Sequence, residues 1–198
     1  MSNQISLGPR RDGHRTPARR MVIVVEGRSE KIYFERFRTR ERPISIRIHE
    51  SKDHTAKGMI KKCISLIERS GLDREAGDVI AVFDTDRNTE EELREAMGLA
   101  SEYGIDVYVS NPSFEFWLLL HFEDNKTAYV QDVIEELLGK HLGFRYKKPE
   151  SVNKHIDDEN VKKAVIRSKR LLADANPMTC KNNSPSTCLH LLVERLMK

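Results

Sequence analysis

Cysteine is scarce. Cys63, Cys180 and Cys188 are the whole supply in 198 residues. An odd number with no C-x-x-C pair excludes a disulfide framework and leaves ordinary core or loop cysteines. Cys180, Cys188 and His190 match no common zinc spacing. Long apolar runs are missing too, and a membrane-spanning helix needs about 20 such residues, so an α-helical membrane protein is excluded. Residues 1–20 contain no apolar stretch of the signal-peptide kind, and a cytoplasmic location is the expectation. No G-x-x-x-x-G-K-[ST] occurs, which excludes ATP hydrolysis through a P-loop. No G-x-S-x-G occurs either, which excludes that type of serine-hydrolase elbow. Internal repeats are absent.

Charge is plentiful but unevenly placed. Charged residues make up 33% of the chain and apolar ones 38%, enough for a core without staples at this length. Arg10, Arg11, Arg15, Arg19 and Arg20 face a single acid, Asp12, in the first 20 residues. The other 178 residues then carry 29 basic and 30 acidic side chains, so the body is no general nucleic-acid clamp. The tail is either a disordered solubilising arm or an arm that contacts nucleic acid.

Beyond the tail, the hydrophobic pattern alternates between strands and helices. Met21–Val25 and Val79–Phe83 are continuous β-branched or apolar runs, the pattern of strands buried on both faces. Ile44, Ile46 and Ile48, and later Ile105, Val107 and Val109, alternate with polar residues, the pattern of edge strands. Between them lie a helix with Ile32, Tyr33, Phe34 and Phe37, N-capped by Ser29, and one with Ala56, Met59, Ile60, Cys63, Ile64 and Ile67 on one face. A third is opened by a Thr89–Glu92 capping box, and an apolar helix covers Phe114–Phe122. No further strand is expected after about Thr127. Helices are expected at about Val130–Leu138, around Val161–Leu172 and around Leu189–Leu196. The expected organisation is a basic tail over 1–20, an α/β domain over 21–123, and a helical C-terminal part over 124–198 packed on the same domain.

Buried strands belong in the middle, and short right-handed crossovers then predict a four-stranded parallel sheet in the order 2-1-3-4, Rossmann-like, flanked by helices. The chain direction switches between strands 1 and 3, and ligands bind outside the carboxyl ends of the strands at such a point. Glu26 leaves strand 1 there, and Asp84 and Asp86 leave strand 3. Glu30 lies four residues after Glu26, within reach of the same crevice if both are helical. Clustered carboxylates repel unless a cation sits among them, and hard oxygen donors select Mg²⁺ or Mn²⁺. Glu26, Glu30, Asp84 and Asp86 suffice for a two-metal phosphodiester site. Glu115 is either a buried partner for a basic side chain or an added ligand. His121 is a core or surface histidine, with general-acid use as the alternative. Arg28, Lys57, Lys61 and Lys62 are either phosphate contacts or solvated charges. Asn88 stands where a haloacid-dehalogenase motif has Thr or Val, which weighs against Asp84 as a phosphatase nucleophile.

Val22–Gly27 followed by Val79–Asp86 resembles the Toprim pattern, a Glu-Gly after strand 1 and a D-x-D after strand 3. Three blocks together, V-V-E-G-R-S-E-K-I-Y-F, V-F-D-T-D-R-N and S-N-P-S-F-E-F-W-L-L-L-H-F, resemble the RloB-like family of restriction-linked and abortive-infection proteins, from about residue 20 to the C-terminus. The resemblance implies a Toprim-like nuclease that cleaves DNA or RNA in anti-phage defence, often encoded beside an ABC- or AAA-type ATPase. It maps Glu26 to the catalytic Glu, Asp84 and Asp86 to the metal-binding and catalytic D-x-D, and Glu30 to the second acid of the OLD-type E-G-x-x-E motif. Arg87 follows the D-x-D, and the glycine many Toprim proteins carry nearby is absent. The rival expectation is a non-catalytic module that binds nucleic acid or the ATPase.

Overall fold

The structure is a computed structural model that describes residues 19–39, 44–70, 77–146 and 152–198. Residues 1–18 of the basic tail lie outside the described residues. Arg19 and Arg20 do not belong to a tail: they open the first strand, β1 (Arg19–Val25). The order continues with α1 (Arg28–Glu35), β2 (Ile44–Glu50), α2 (Ala56–Ser70), β3 (Gly77–Asp84), α3 (Glu90–Glu102), β4 (Ile105–Asn111) and α4 (Phe114–Leu119). It ends with α5 (Gln131–Leu142), α6 (Asp158–Lys169), α7 (Pro177–Asn182), β5 (Ser186–Thr187) and α8 (Leu189–Met197).

The sheet runs β2-β1-β3-β4-β5. The four long strands are parallel and stand in the order the burial patterns predict. The sheet nevertheless has five strands, not four, because β5 pairs antiparallel with β4 and covers one end of its outer edge. The expectation of no strand after Thr127 fails here for a physical reason. β5 is two polar residues long, with no periodicity to read. Its buried hydroxyls make the join, with Thr187 Oγ1 2.9 Å from the Val109 carbonyl and 3.1 Å from Ser110 Oγ.

Strand pleating splits the core in two. Met21, Ile23 and Val25 pack with α1, α4, α5, α6 and α8, whereas Val22 and Val24 pack with α2, α3 and Cys180 of α7. The C-terminal helices thus share one core with β1 and α1. Tyr33 is its hub, edge-on to Phe34, Phe114, Trp117 and His121. α1 and α2 leave β1 and β2 on opposite faces, which is the switch in winding that opens a crevice above β1 and β3.

Two local expectations change. Ser29 is not the N-cap of α1; Gly27 is, in extended backbone, and Ser29 lies inside the first turn. The helix at Phe114 is a single short one that ends at Leu119, not Phe122. The capping box of Thr89 and Glu92 is formed as expected.

Candidate functional site

Strand parity decides where the acids go. Val25 is the last residue of β1, so Glu26 emerges above the sheet, beside the end of β3 where Asp84 closes the strand. Glu26 Oε2 accepts the Asp84 N–H at 3.1 Å, tying the two strand ends together. Glu30 arrives by another route than the one expected. Glu26 precedes α1 and is not helical, so the pair do not share a helix face. Glu30 instead sits three residues after the N-cap Gly27 and folds back, accepting from the N–H groups of Gly27 and of Glu30 itself. Both Glu26 and Glu30 are buried.

The acids feel one another. Burial first, then the charges of Glu115 and Glu26, push Glu30 up to about 8. Burial and the charges of Glu30, Glu26 and Glu115 hold Asp84 well above the carboxylate range, against the Phe114 N–H it accepts. Burial also raises Glu26, opposed by the Asp84 N–H, Arg87 and His54 and reinforced by Asp86. Among the described residues, no three His, Cys, Asp or Glu side chains are drawn together as a finished metal cage.

Two side chains missed by sequence reasoning guard Glu26. His54 Nδ1 and an Arg87 guanidinium nitrogen each lie 3.6 Å from Glu26 Oε1 and 3.2 Å from each other. His54 follows the edge strand β2 in a polar stretch with no motif; only its place at a carboxyl end pointed to it. Asp53 fixes this loop by accepting the Thr55 N–H at 3.0 Å. Gly58 is glycine because a Cβ there would meet Asp53 Cγ at 2.1 Å.

The D-T-D-R-N loop is held from three sides. Asn88 Nδ2 donates to the Asp84 carbonyl at 3.3 Å, and Asn88 Oδ1 takes the Ala56 N–H at the start of α2 at 2.8 Å. Lys181 of α7, also missed, donates to the Thr85 carbonyl at 2.8 Å. Asn111 Nδ2 in turn donates to the Cys180 and Lys181 carbonyls at 2.8 and 3.0 Å.

The remaining expected residues divide. Asp86 is exposed on the turn and reaches the others only through its charge on Glu26. Glu115 accepts from neutral donors: Tyr146 Oη and Gln131 Nε2 at 3.1 Å each, and Ser29 Oγ at 3.4 Å. His121 is fully buried core. The Trp117 carbonyl 3.0 Å away only accepts, so Nδ1 carries the proton and Nε2 takes the Tyr33 hydroxyl at 3.1 Å. Burial pushes it down to about 3, so it is neutral and no general acid near neutrality. Lys57 is exposed and reaches Glu95 of α3 at 3.4 Å. Lys61 lies exposed on α2 near Asp53, and Arg28 is exposed at the start of α1.

No helix of the described residues is long and apolar enough to cross a membrane. No curated protein and no solved structure matches the chain. The profile of the family described as RloB-like protein matches residues 21–196, nearly the whole chain and every element that builds the crevice. The chain belongs to the RloB-like protein family.

Proposed function

We propose that this protein is a metal-dependent nuclease of Toprim-like fold that hydrolyses phosphodiester bonds in DNA or RNA. The observation that carries the reading is the gathering of Glu26, Glu30 and Asp84 at the carboxyl ends of β1 and β3, where Glu26 Oε2 accepts the Asp84 N–H at 3.1 Å and the charges of Glu26 and Glu30 help to raise Asp84 and that of Glu26 helps to raise Glu30. Keeping three carboxylates ionised together at this crevice costs stability without a compensating cation. The donor chemistry suits Mg²⁺ or Mn²⁺, since the acids offer only carboxylate oxygens. Glu26, Glu30 and Asp84 would hold the ion, with Asp86 at the exposed rim and Glu115 behind, its oxygens already hydrogen-bonded. A bound divalent cation supplies charge neutralisation at phosphate and lowers the pKa of water. Arg87 and His54 are placed to receive the phosphate once Glu26 turns from them to an ion. Glu26 also has the raised pKa that suits proton handling. Family membership favours a role in bacterial or archaeal defence, with a partner ATPase supplying the trigger.

One observation favours the second reading, a non-catalytic module that binds nucleic acid or the ATPase. Glu26 is engaged by the Asp84 N–H, His54 and Arg87, and no finished cage exists among the described residues. Cleavage of labelled DNA and RNA with Mg²⁺ or Mn²⁺, by the protein alone and with the ATPase, separates the two. The nuclease reading expects metal-dependent products that vanish in Asp84→Ala; products that persist in that variant, or none under any condition, support the module.

A further inference from the structure

Among the described residues β2 is an outer strand of the sheet with no strand beyond it, and the face it shares with α2 is basic. Ser45, Arg47 and His49 pair with Arg20, Val22 and Val24 of β1, so all six point to the face that α2 covers. α2 does not reach far enough to close over β2. It leaves a groove of about 140 Å³ lined by Arg20, Ser45, Arg47 and His49 on the sheet side and Leu66 on the helix side. Lys62 lies one helical turn before Leu66. Arg20 and Arg47 are exposed, and His49 and Lys62 half-buried. The charges acting on His49 are those of Lys62, Arg47 and Lys31, all positive, and with burial they depress its pKa. Glu50, the nearby acid of β2, is matched by Lys31 at 2.9 Å.

We propose that this groove binds the phosphate backbone of a nucleic-acid strand and leads it along β2 to the carboxylate crevice. Geometry gives the direction. β2 runs from the Arg20 end toward Glu50, the Ser51 N–H donates to the Val25 carbonyl beside Glu26 at 2.9 Å, and His54 follows three residues later. The cations are spread over about 3.3 Å per residue of strand, a spacing that lets several successive phosphates be met at once. Charge also decides against the other occupant an open edge invites, a second copy of this chain. Antiparallel edge-to-edge pairing about Arg47 would set that arginine against its own duplicate, which repels. The destination of the track rests on the nuclease reading; the binding does not.

The test measures binding without chemistry. Fluorescence anisotropy of labelled single-stranded and duplex DNA and RNA is recorded in EDTA for the full chain, for Arg47→Glu/Lys62→Glu, and for Lys162→Glu/Lys163→Glu. The last makes the same charge change on exposed positions of α6, across the sheet. The groove variant is expected to bind about tenfold more weakly, with the slope of log affinity against log salt reduced by roughly 1–2, while the α6 variant matches wild type. Equal weakening in both variants, an unchanged slope, or wild-type protein that binds none of the probes overturns the proposal. So does a wild-type dimer in light scattering that the groove substitutions dissociate. If the groove variant loses affinity while wild type cleaves nothing under any metal condition, the nuclease reading falls and the track stands. If cleavage is metal-dependent and groove substitutions leave affinity intact, the reverse holds.

Discussion

Glu30→Gln isolates the cost of keeping acids together in the metal-free protein. Glu30 is 5% exposed and has a folded pKa of about 8 against an ordinary value of 4.5. The folded state therefore holds a proton that the unfolded chain has released. The contribution of this group to stability is fully present below pH 4.5 and is lost as pH rises through 8. At pH 7 the loss is on the order of 3 kcal/mol, since each pKa unit corresponds to about 1.4 kcal/mol. Glutamine has the shape of the protonated side chain, keeps an oxygen for the Gly27 N–H, and cannot ionise. The variant is expected to melt roughly 6–12 °C above wild type at pH 7 in EDTA, using about 2–4 °C per kcal/mol for a chain of this size. The gap should close as the pH approaches 4.5. Excess Mn²⁺ should raise the wild-type midpoint and move the variant little. Melting curves by circular dichroism at several pH values, with and without the ion, read all of this. If Glu30→Gln melts lower than wild type at every pH, Glu30 is only the returning half of a helix cap, a role worth about 0.5–2 kcal/mol. The reasoning about repulsion would then be wrong.

Asp84→Ala should spare or raise apo stability by the same relief while abolishing metal-dependent cleavage; a lower apo midpoint with a wild-type metal shift would mark Asp84 as structural. Tyr33→Phe leaves His121 Nε2 buried without its donor and should cost about 1–3 kcal/mol in urea denaturation, whereas a neutral result would break the tautomer assignment. His121 ties the fold to pH with the sign opposite to Glu30: with a folded pKa of about 3, its contribution is present above pH 6.5 and lost as pH falls toward 3. Gly58→Ala should destabilise despite the roughly 1 kcal/mol helix gain of alanine, because the new Cβ strikes Asp53. Adding Asp53→Ala should recover that loss, and no recovery would sink the steric argument.

Patterns that depend on many residues were legible in the sequence. Two continuous apolar strands and two alternating ones sufficed to order the parallel strands, because burial on both faces leaves no polar position to read otherwise. The same logic placed Glu26 and Asp84 at one crevice. Features resting on one or two residues were not legible. β5 is held by buried hydroxyls, and Lys181 reaches the D-T-D loop across 96 positions of chain. Glu30 came to the site by capping α1 and not by the helical spacing from Glu26 that suggested it. Glu115 lies in an apolar helix and His121 two residues past its end, in a run whose pattern says core, and the core is where His121 belongs. Arg87 and His54 had no spacing signal, since their shared partner Glu26 lies on another element.

The account depends on the Glu26, Glu30 and Asp84 carboxylates holding a divalent cation. Electron paramagnetic resonance of free Mn²⁺, titrated with wild-type protein and with Asp84→Asn at pH 8, asks this directly. Wild type should remove the free-ion signal saturably, with one or two ions per chain, and the variant should leave most of it in place. A free-ion signal that wild type does not diminish, or that both proteins diminish equally, would contradict the assignment.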